Sequence, residues 1–404
     1  MDKIIQRLIN YIAYDTKSDP NSETFPSTSG QLVLGEALAE ELKGIGVEDV
    51  HQDEYGYVYG TIPGNVENVP TIGFIAHMDT APDLDGKCVN PQIIEDYDGQ
   101  DIKLNEEYAL TNKEFPFLKE LKGHTVVTTD GTTLLGADDK AGIAIIMTAM
   151  EEILKGDMKH GTIKIAFTPD EEIGQGTDHF DVKGFNADFA YTIDGGPEGE
   201  LEYENFNAAS AFIEIQGKNV HPGSAKNIMV NSLRIAMELE SLLPVDEKPE
   251  YTENYEGFYL LDAIDGTVDH TKMEYIIRDH SMEKFNEKKS LMKDIVAFLN
   301  KKYGDKITLK MEDSYYNMKE KIKPHMEIID LAKDSMEEIG VKPLIKAIRG
   351  GTDGAQLSYK GLPTPNLFTG GYNYHGRFEM ISVDTMKKSK ELVKKIIEKN
   401  GATK

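Results

Sequence analysis

Cysteine is nearly absent: Cys88 is the single one in 404 residues. No disulfide can form within the chain, and any metal site must be built from histidine and carboxylate. Basic residues are also scarce, 44 Lys and Arg against 70 Asp and Glu, for a net charge of −26. Nucleic acid is therefore not an expected partner, because phosphate backbones are gripped by clustered Lys and Arg. A cationic or zwitterionic ligand suits such a field better. Long apolar runs are missing as well. The strongest, from Ala141 to Met150, falls well short of the roughly 18 residues that suggest a membrane span, so no membrane partner is expected. Met1 to Leu8 mix acid and base on an amphipathic helix start, which reads as no secretory signal and implies a cytoplasmic setting. Neither an internal repeat nor a low-complexity segment stands out.

What is present is an alternation that changes partway along. A chain of this length exceeds what one core fills, so two domains are expected. Up to about residue 207, helical segments near 3–15, 30–44 and 140–155 alternate with short apolar runs near 57–62, 71–77, 162–168 and 188–193. This predicts an α/β fold: a mixed, largely parallel sheet with helices on both faces. From Ala208 the order becomes strand Ala211–Gln216, helix Asn227–Leu243, strands Phe258–Ile264 and Thr271–Arg278, helix Met282–Lys302 and strand Ile307–Glu312. That is the βαββαβ order of a ferredoxin-like unit. Helix, strand and helix resume at Pro324–Ile339, Leu344–Ile348 and Val383–Lys399. The expected organisation is a discontinuous main domain, 1–207 and 319–404, with 208–318 inserted.

The apolar runs end in metal-type ligands. Ile163 to Pro169 runs into Asp170-Glu171-Glu172, Thr71 to Ala76 into His77-Met78-Asp79, Leu134 to Ala137 into Asp138-Asp139-Lys140, and Phe189 to Ile193 into Asp194-Gly195-Gly196. Three adjacent carboxylates repel one another unless a cation or a shared proton offsets the charge, and ligands of α/β folds bind at the carboxyl ends of strands. His77 and Asp79 share one face of an extended chain, which lets Asp79 accept from the ring nitrogen of His77 turned away from a metal. Asp138 serves equally as a helix cap or a ligand. Adjacent Glu171 and Glu172 point in different directions, so one can bind metal while the other faces a water as general base. His375, in Asn373-Tyr374-His375-Gly376-Arg377, lies in a Gly- and Tyr-rich loop of the kind that lines a pocket. Val220-His221-Pro222-Gly223 reads by default as a turn. Arg278 and Arg349 each end an apolar run and could meet a substrate carboxylate or an oxyanion, or equally form structural ion pairs.

These residues alone lead to a carboxylate-rich metal site. Taken in order, His77-Met78-Asp79, Gly136-Ala137-Asp138-Asp139-Lys140, Asp170-Glu171-Glu172, Asp194-Gly195-Gly196, His221-Pro222-Gly223 and Asn373-Tyr374-His375-Gly376 resemble the motifs of the dinuclear zinc aminopeptidase, aminoacylase and carboxypeptidase superfamily. Phe167 to Glu172, Asn205 to Ser210, Asp313 to Met318 and Arg349 to Gly354 look like its tripeptide aminopeptidases. The resemblance implies two Zn2+ per subunit, with Co2+ or Mn2+ as substitutes. His77 and Asp194 would hold one ion, Glu172 and His375 the other, and Asp138 both. A bridging water would attack the peptide, with Glu171 as its base and Asp79 orienting His77. The resemblance further implies tripeptide substrates, a cis peptide bond between Asp138 and Asp139, and a homodimer through the inserted domain. His221 would then reach the partner's site and stabilise the oxyanion. A carboxypeptidase or an aminoacylase built on the same metals fits the shared motifs equally well. A zinc- or peptide-binding module without catalysis fits less well, because it has no use for Glu171.

Overall fold

The computed structural model describes residues 2–402. It divides into two compact units: one runs to Tyr203 and includes Glu320–Lys346 and the chain from Thr352 onward, and the other comprises Glu204–Lys319 and Ala347–Gly351. The expected boundaries leave residues 347–351 in the main domain. They group instead with the second unit, where the Ile348 N–H donates to the Glu204 carbonyl at 2.8 Å and the Arg349 guanidinium lies 5.1 Å from the centre of the Phe206 ring.

The first unit is built on an eight-stranded sheet in the order Glu48–Gln52, Val58–Ile62, Ile163–Thr168, Ile72–His77, Phe189–Gly195, Asn366–Phe368, Glu200–Glu202, Leu344–Lys346. The central four strands are mutually parallel, as are Glu200–Glu202 and Leu344–Lys346; the remaining pairings are antiparallel. The central strands are buried on both faces, which is why they read as continuous apolar runs rather than alternating ones. Every residue of Ile72–His77 is buried. On one face Phe74 stacks on Tyr191, whose hydroxyl donates to the Ile328 carbonyl of helix Met326–Glu338. On the other, Ile75, Ala166 and Ala190 pack with Phe180, Phe185 and Leu357. Helix Ala137–Lys155 is almost wholly buried, in keeping with a sequence that is apolar around its whole circumference.

One expectation changes here. The run Leu134 to Ala137 is not the end of a strand but a turn that feeds this helix. Gly136 adopts a left-handed φ of 77°, and Asp138 and Asp139 are not yet helical. A small antiparallel sheet, Gln92–Ile94, Val126–Thr128, Met380–Ser382 and Gly371–Tyr372, holds the loop that bears His375.

The second unit is a four-stranded antiparallel sheet in the order Phe258–Gly266, His270–Asp279, Asn207–Gln216, Ile307–Tyr315, with helices Ser232–Leu242 and Met282–Tyr303. Alternate residues Ala209, Ala211, Ile213 and Ile215 point into a core shared with Ile235, Leu239, Met292 and Leu299. The first helix begins at Ser232 rather than Asn227, because the Asn231 side chain accepts from the N–H groups of Leu233 and Arg234 and caps it.

Candidate metal centre

The carboxyl ends of the four central strands converge. Ile72–His77 delivers His77, Ile163–Thr168 leads to Glu171 and Glu172, Phe189–Gly195 carries Asp194, and Asn366–Phe368 leads to the His375 loop. Asp138 enters from the helix start between them. Its two oxygens face different partners: Oδ1 lies 2.9 Å from His77 Nε2, and Oδ2 lies 3.2 Å from His375 Nε2. Asp194 Oδ1 is 3.6 Å from the same His77 nitrogen, and Glu172 Oε2 is 3.0 Å from the His375 nitrogen. One carboxylate thus separates two imidazole–carboxylate pairs.

Among the described residues, His77, Asp138 and Glu172 lie close enough to share an ion, as do His77, Asp139 and Asp194. Asp139 joins the second group by proximity, yet its oxygens accept the N–H groups of His77 at 3.3 Å and Gly142 at 3.1 Å. It therefore caps the helix, while Asp138 is left free to face the imidazoles. The bond between them is cis, as the resemblance implies.

Asp79 has no exposed surface. His77 Nδ1, the ring nitrogen turned away from Asp138, bonds the Asp79 main-chain carbonyl at 3.2 Å and lies 3.3 Å from the carboxylate Oδ1. The same carboxylate accepts the N–H groups of Glu171 at 3.0 Å and Glu172 at 3.1 Å. A histidine held from behind in this way has its ring orientation fixed. Asp170 has a separate task. With a left-handed φ of 53°, it turns its carboxylate to the Ser27 N–H at 2.6 Å, the Ser27 hydroxyl at 2.5 Å and the Gln31 amide at 2.7 Å. It ties the Glu171-Glu172 turn to the start of helix Ser29–Ile45.

The electrostatics show how strongly the group wants positive charge. Burial, and then the charge of Asp138, push Glu172 up to about 8. Burial also lifts Glu171 well above the carboxylate range, helped by the neighbouring Asp353, Asp194 and Glu172 against the pull of His77. The hydrogen bonds of Asp138 and Glu172 carry His375 up to about 11. Burial opposes protonation of His77, but Asp194, Asp138 and Asp79 outweigh it. A divalent cation among these groups would offset the same clustered charge. Glu172 Oε1 is buried without a hydrogen-bond partner, and the donors are imidazole nitrogen and carboxylate oxygen throughout. Such a set fits zinc and, less selectively, cobalt or manganese.

A model of peptidase family M20/M25/M40 matches residues 124–399. The chain belongs to this family. Among its relatives, a protein named Peptidase T from Bacillus subtilis strain 168 is 60% identical over 400 residues, covering 98% of each chain. One of the same name from Alkaliphilus oremlandii is 58% identical over 405 residues, covering 98% of this chain and 99% of the other. The crystal structure of aminopeptidase PepT from Bacillus cereus superposes with a TM-score of 0.79 at 25% identity, over 99% of this chain and 98% of that one. The fold also matches a Bacillus subtilis protein described as a dinuclear metal binding peptidase from M20 family, with a TM-score of 0.67 at 15% identity and 99% coverage of both chains. This family member is a peptidase with an α/β fold of the M20 kind.

The first unit brings together His77, Asp79, Asp138, Glu171, Glu172, Asp194 and His375. The other candidates lie in the second unit. His221 is exposed in a short turn, where its Nδ1 accepts the Gly223 N–H at 3.1 Å. Arg349 donates to the carbonyls of Asn254 and Glu256 at 2.7 and 3.1 Å and to the Thr252 hydroxyl at 3.1 Å. Arg278 lies 5.9 Å from the centre of the Phe258 ring and donates to the Arg349 carbonyl at 3.3 Å. Sequence reasoning passed over two buried acids. Asp353 accepts the Thr168 hydroxyl at 2.7 Å and sits so close to Gly176 that a Cβ there would meet its Oδ1 at 2.2 Å. Glu379 accepts N–H groups from the turn that leads to Asp138. The available signal for Glu379 was an acid set within the apolar run Phe378-Glu379-Met380-Ile381.

Proposed function

We propose that this peptidase is a cytoplasmic aminopeptidase that removes the N-terminal residue of tripeptides and uses two zinc ions. The observation that carries the reading is the division of Asp138, one oxygen toward His77 and the other toward His375, with Glu171 and Glu172 held side by side through their N–H groups on Asp79. His77 and Asp194 would hold one ion, Glu172 and His375 the other, and Asp138 both. Bound there, zinc supplies Lewis acidity that lowers the pKa of water and polarises a carbonyl. Glu171 takes the proton of the attacking water and returns it to the leaving amine. Asp79 keeps His77, Glu171 and Glu172 in mutual register through its three contacts.

The choice of a tripeptide and of a free amine draws support from relatives rather than from the cluster. The Bacillus subtilis and Alkaliphilus proteins carry the name Peptidase T, and the Bacillus cereus structure is described as an aminopeptidase. The test is turnover of a di-, tri- and tetrapeptide series with free and acetylated N-termini, after chelation and then metal add-back. Activity lost to chelator, restored by zinc and confined to free-amine tripeptides is expected. Preference for acetylated substrates would displace the aminopeptidase reading in favour of an aminoacylase.

A further inference from the structure

We infer that Glu379 is a positioning residue that sets the placement of Asp138 against His375, and with it the affinity of the ion shared by His375, Glu172 and Asp138. The inference rests on the two-metal reading above. Glu379 is 1% exposed. Its Oε2 accepts the N–H groups of Leu135 at 2.7 Å and Gly136 at 2.9 Å, and its Oε1 accepts that of Asp138 at 3.1 Å. Its own N–H donates to the carbonyl of Gly376, the residue after His375, at 3.1 Å. One residue thereby joins the two segments that bear the ligands, by its side chain on one side and its main chain on the other.

Neither segment has regular structure to hold it. Gly136 and His375 are left-handed, with φ of 77° and 62°, and Asp138 stands at φ −81° and ψ 106° within the first turn of its helix. The leading N–H groups of a helix have no acceptor within the helix, and Glu379 takes that of Asp138. A carboxylate suits this place because its oxygens accept three N–H groups, and because it lies at the positive end of a 19-residue helix, although the Asp138 carboxylate opposes its charge. The His77 side of the cluster is held differently. His77 ends a fully buried central strand and is backed by Asp79. Loss of Glu379 should therefore be felt unequally by the two ions.

The test uses Glu379→Gln, which keeps shape but turns an amide toward one of the three N–H groups. Wild type and variant are stripped of metal and titrated with Zn2+ against a competing chelator. Amide exchange at Leu135, Gly136 and Asp138 is followed in the metal-free proteins. The expected result is both ions weakened but unequally, the one at His375 and Glu172 by the larger factor, about 10- to 100-fold, as is typical when a group supporting a ligand is removed, and faster exchange at the amide that loses its acceptor. Equal weakening of both ions would point to lost negative charge rather than position and would overturn the inference. So would unchanged exchange together with two wild-type affinities. If wild type binds only one ion, the two-metal reading fails on its own, and the exchange rates still decide whether Glu379 clamps the Asp138 turn.

Discussion

Replacing Asp79 with asparagine probes the joint on which the proposed chemistry turns. The carboxylate touches both sides of the cluster: His77 Nδ1 at 3.3 Å, and the N–H groups of Glu171 and Glu172 at 3.0 and 3.1 Å. Asparagine keeps the shape and can still accept one of the two N–H groups through its carbonyl, but it turns an amide toward the other. Losing one hydrogen bond to a charged, buried acceptor costs about 1.5–3 kcal/mol, which at about 1.4 kcal/mol per decade is roughly 10- to 150-fold. The cost of removing a carboxylate behind a metal-binding histidine, typically about 10- to 100-fold in affinity or activity, falls in the same range. Because His77 and Glu172 belong to different ions in the proposed site, Asp79→Asn should weaken both to a similar extent, unlike Glu379→Gln. Zinc titration against a chelator gives the affinities, and turnover at saturating zinc gives the effect on Glu171. Two ions bound at wild-type strength with undiminished kcat would refute the reasoning.

Glu171→Gln should retain both ions yet lower kcat by about 10²- to 10⁴-fold, the range of a general base; metal analysis beside steady-state kinetics checks both, and wild-type turnover would remove Glu171 from its role. Asp170→Ala strands the Ser27 N–H and hydroxyl and the Gln31 amide, so chemical denaturation should report a loss of about 2–4 kcal/mol; an unchanged midpoint would contradict the anchoring role. If His221 serves a partner's site in a homodimer, mixing His221→Ala with Glu171→Gln should regain activity that neither has alone. A mixture as inactive as its components would oppose that arrangement.

The ligands were legible where an apolar run broke off into charge. Ile72 to Ala76, Ile163 to Thr168 and Phe189 to Ile193 are so uniformly apolar because both faces of their strands are covered, and the acids that follow them are conspicuous for that reason. The Gly- and Tyr-rich loop marks His375 as a pocket residue, but its role as a ligand came from resemblance alone. Its loop hangs on strands of two and three residues, Gly371–Tyr372 and Met380–Ser382, too short for any periodicity to show. The role of Asp170 was hidden because its partners, Ser27 and Gln31, lie far back in the chain and carry no mark of their own. Arg278 and Arg349 stand out by the same rule as the ligands, each at the end of an apolar run. The structure supplies their hydrogen bonds and ring contacts, which no pattern of neighbours encodes.

The five proposed ligands are drawn from residue 77 to residue 375, and the central strand that brings His77 enters between two strands that follow it in sequence. A site so dispersed cannot form early in folding, because long loops must close before its parts meet. His77 and Asp79 also precede the stretch, 124–399, that the family model matches, so that stretch alone lacks part of the centre. In the proposed site, metal retention thus becomes a quality control on the whole first unit. A nicked, truncated or half-folded chain would betray itself by failing to hold its metal, before any substrate is offered.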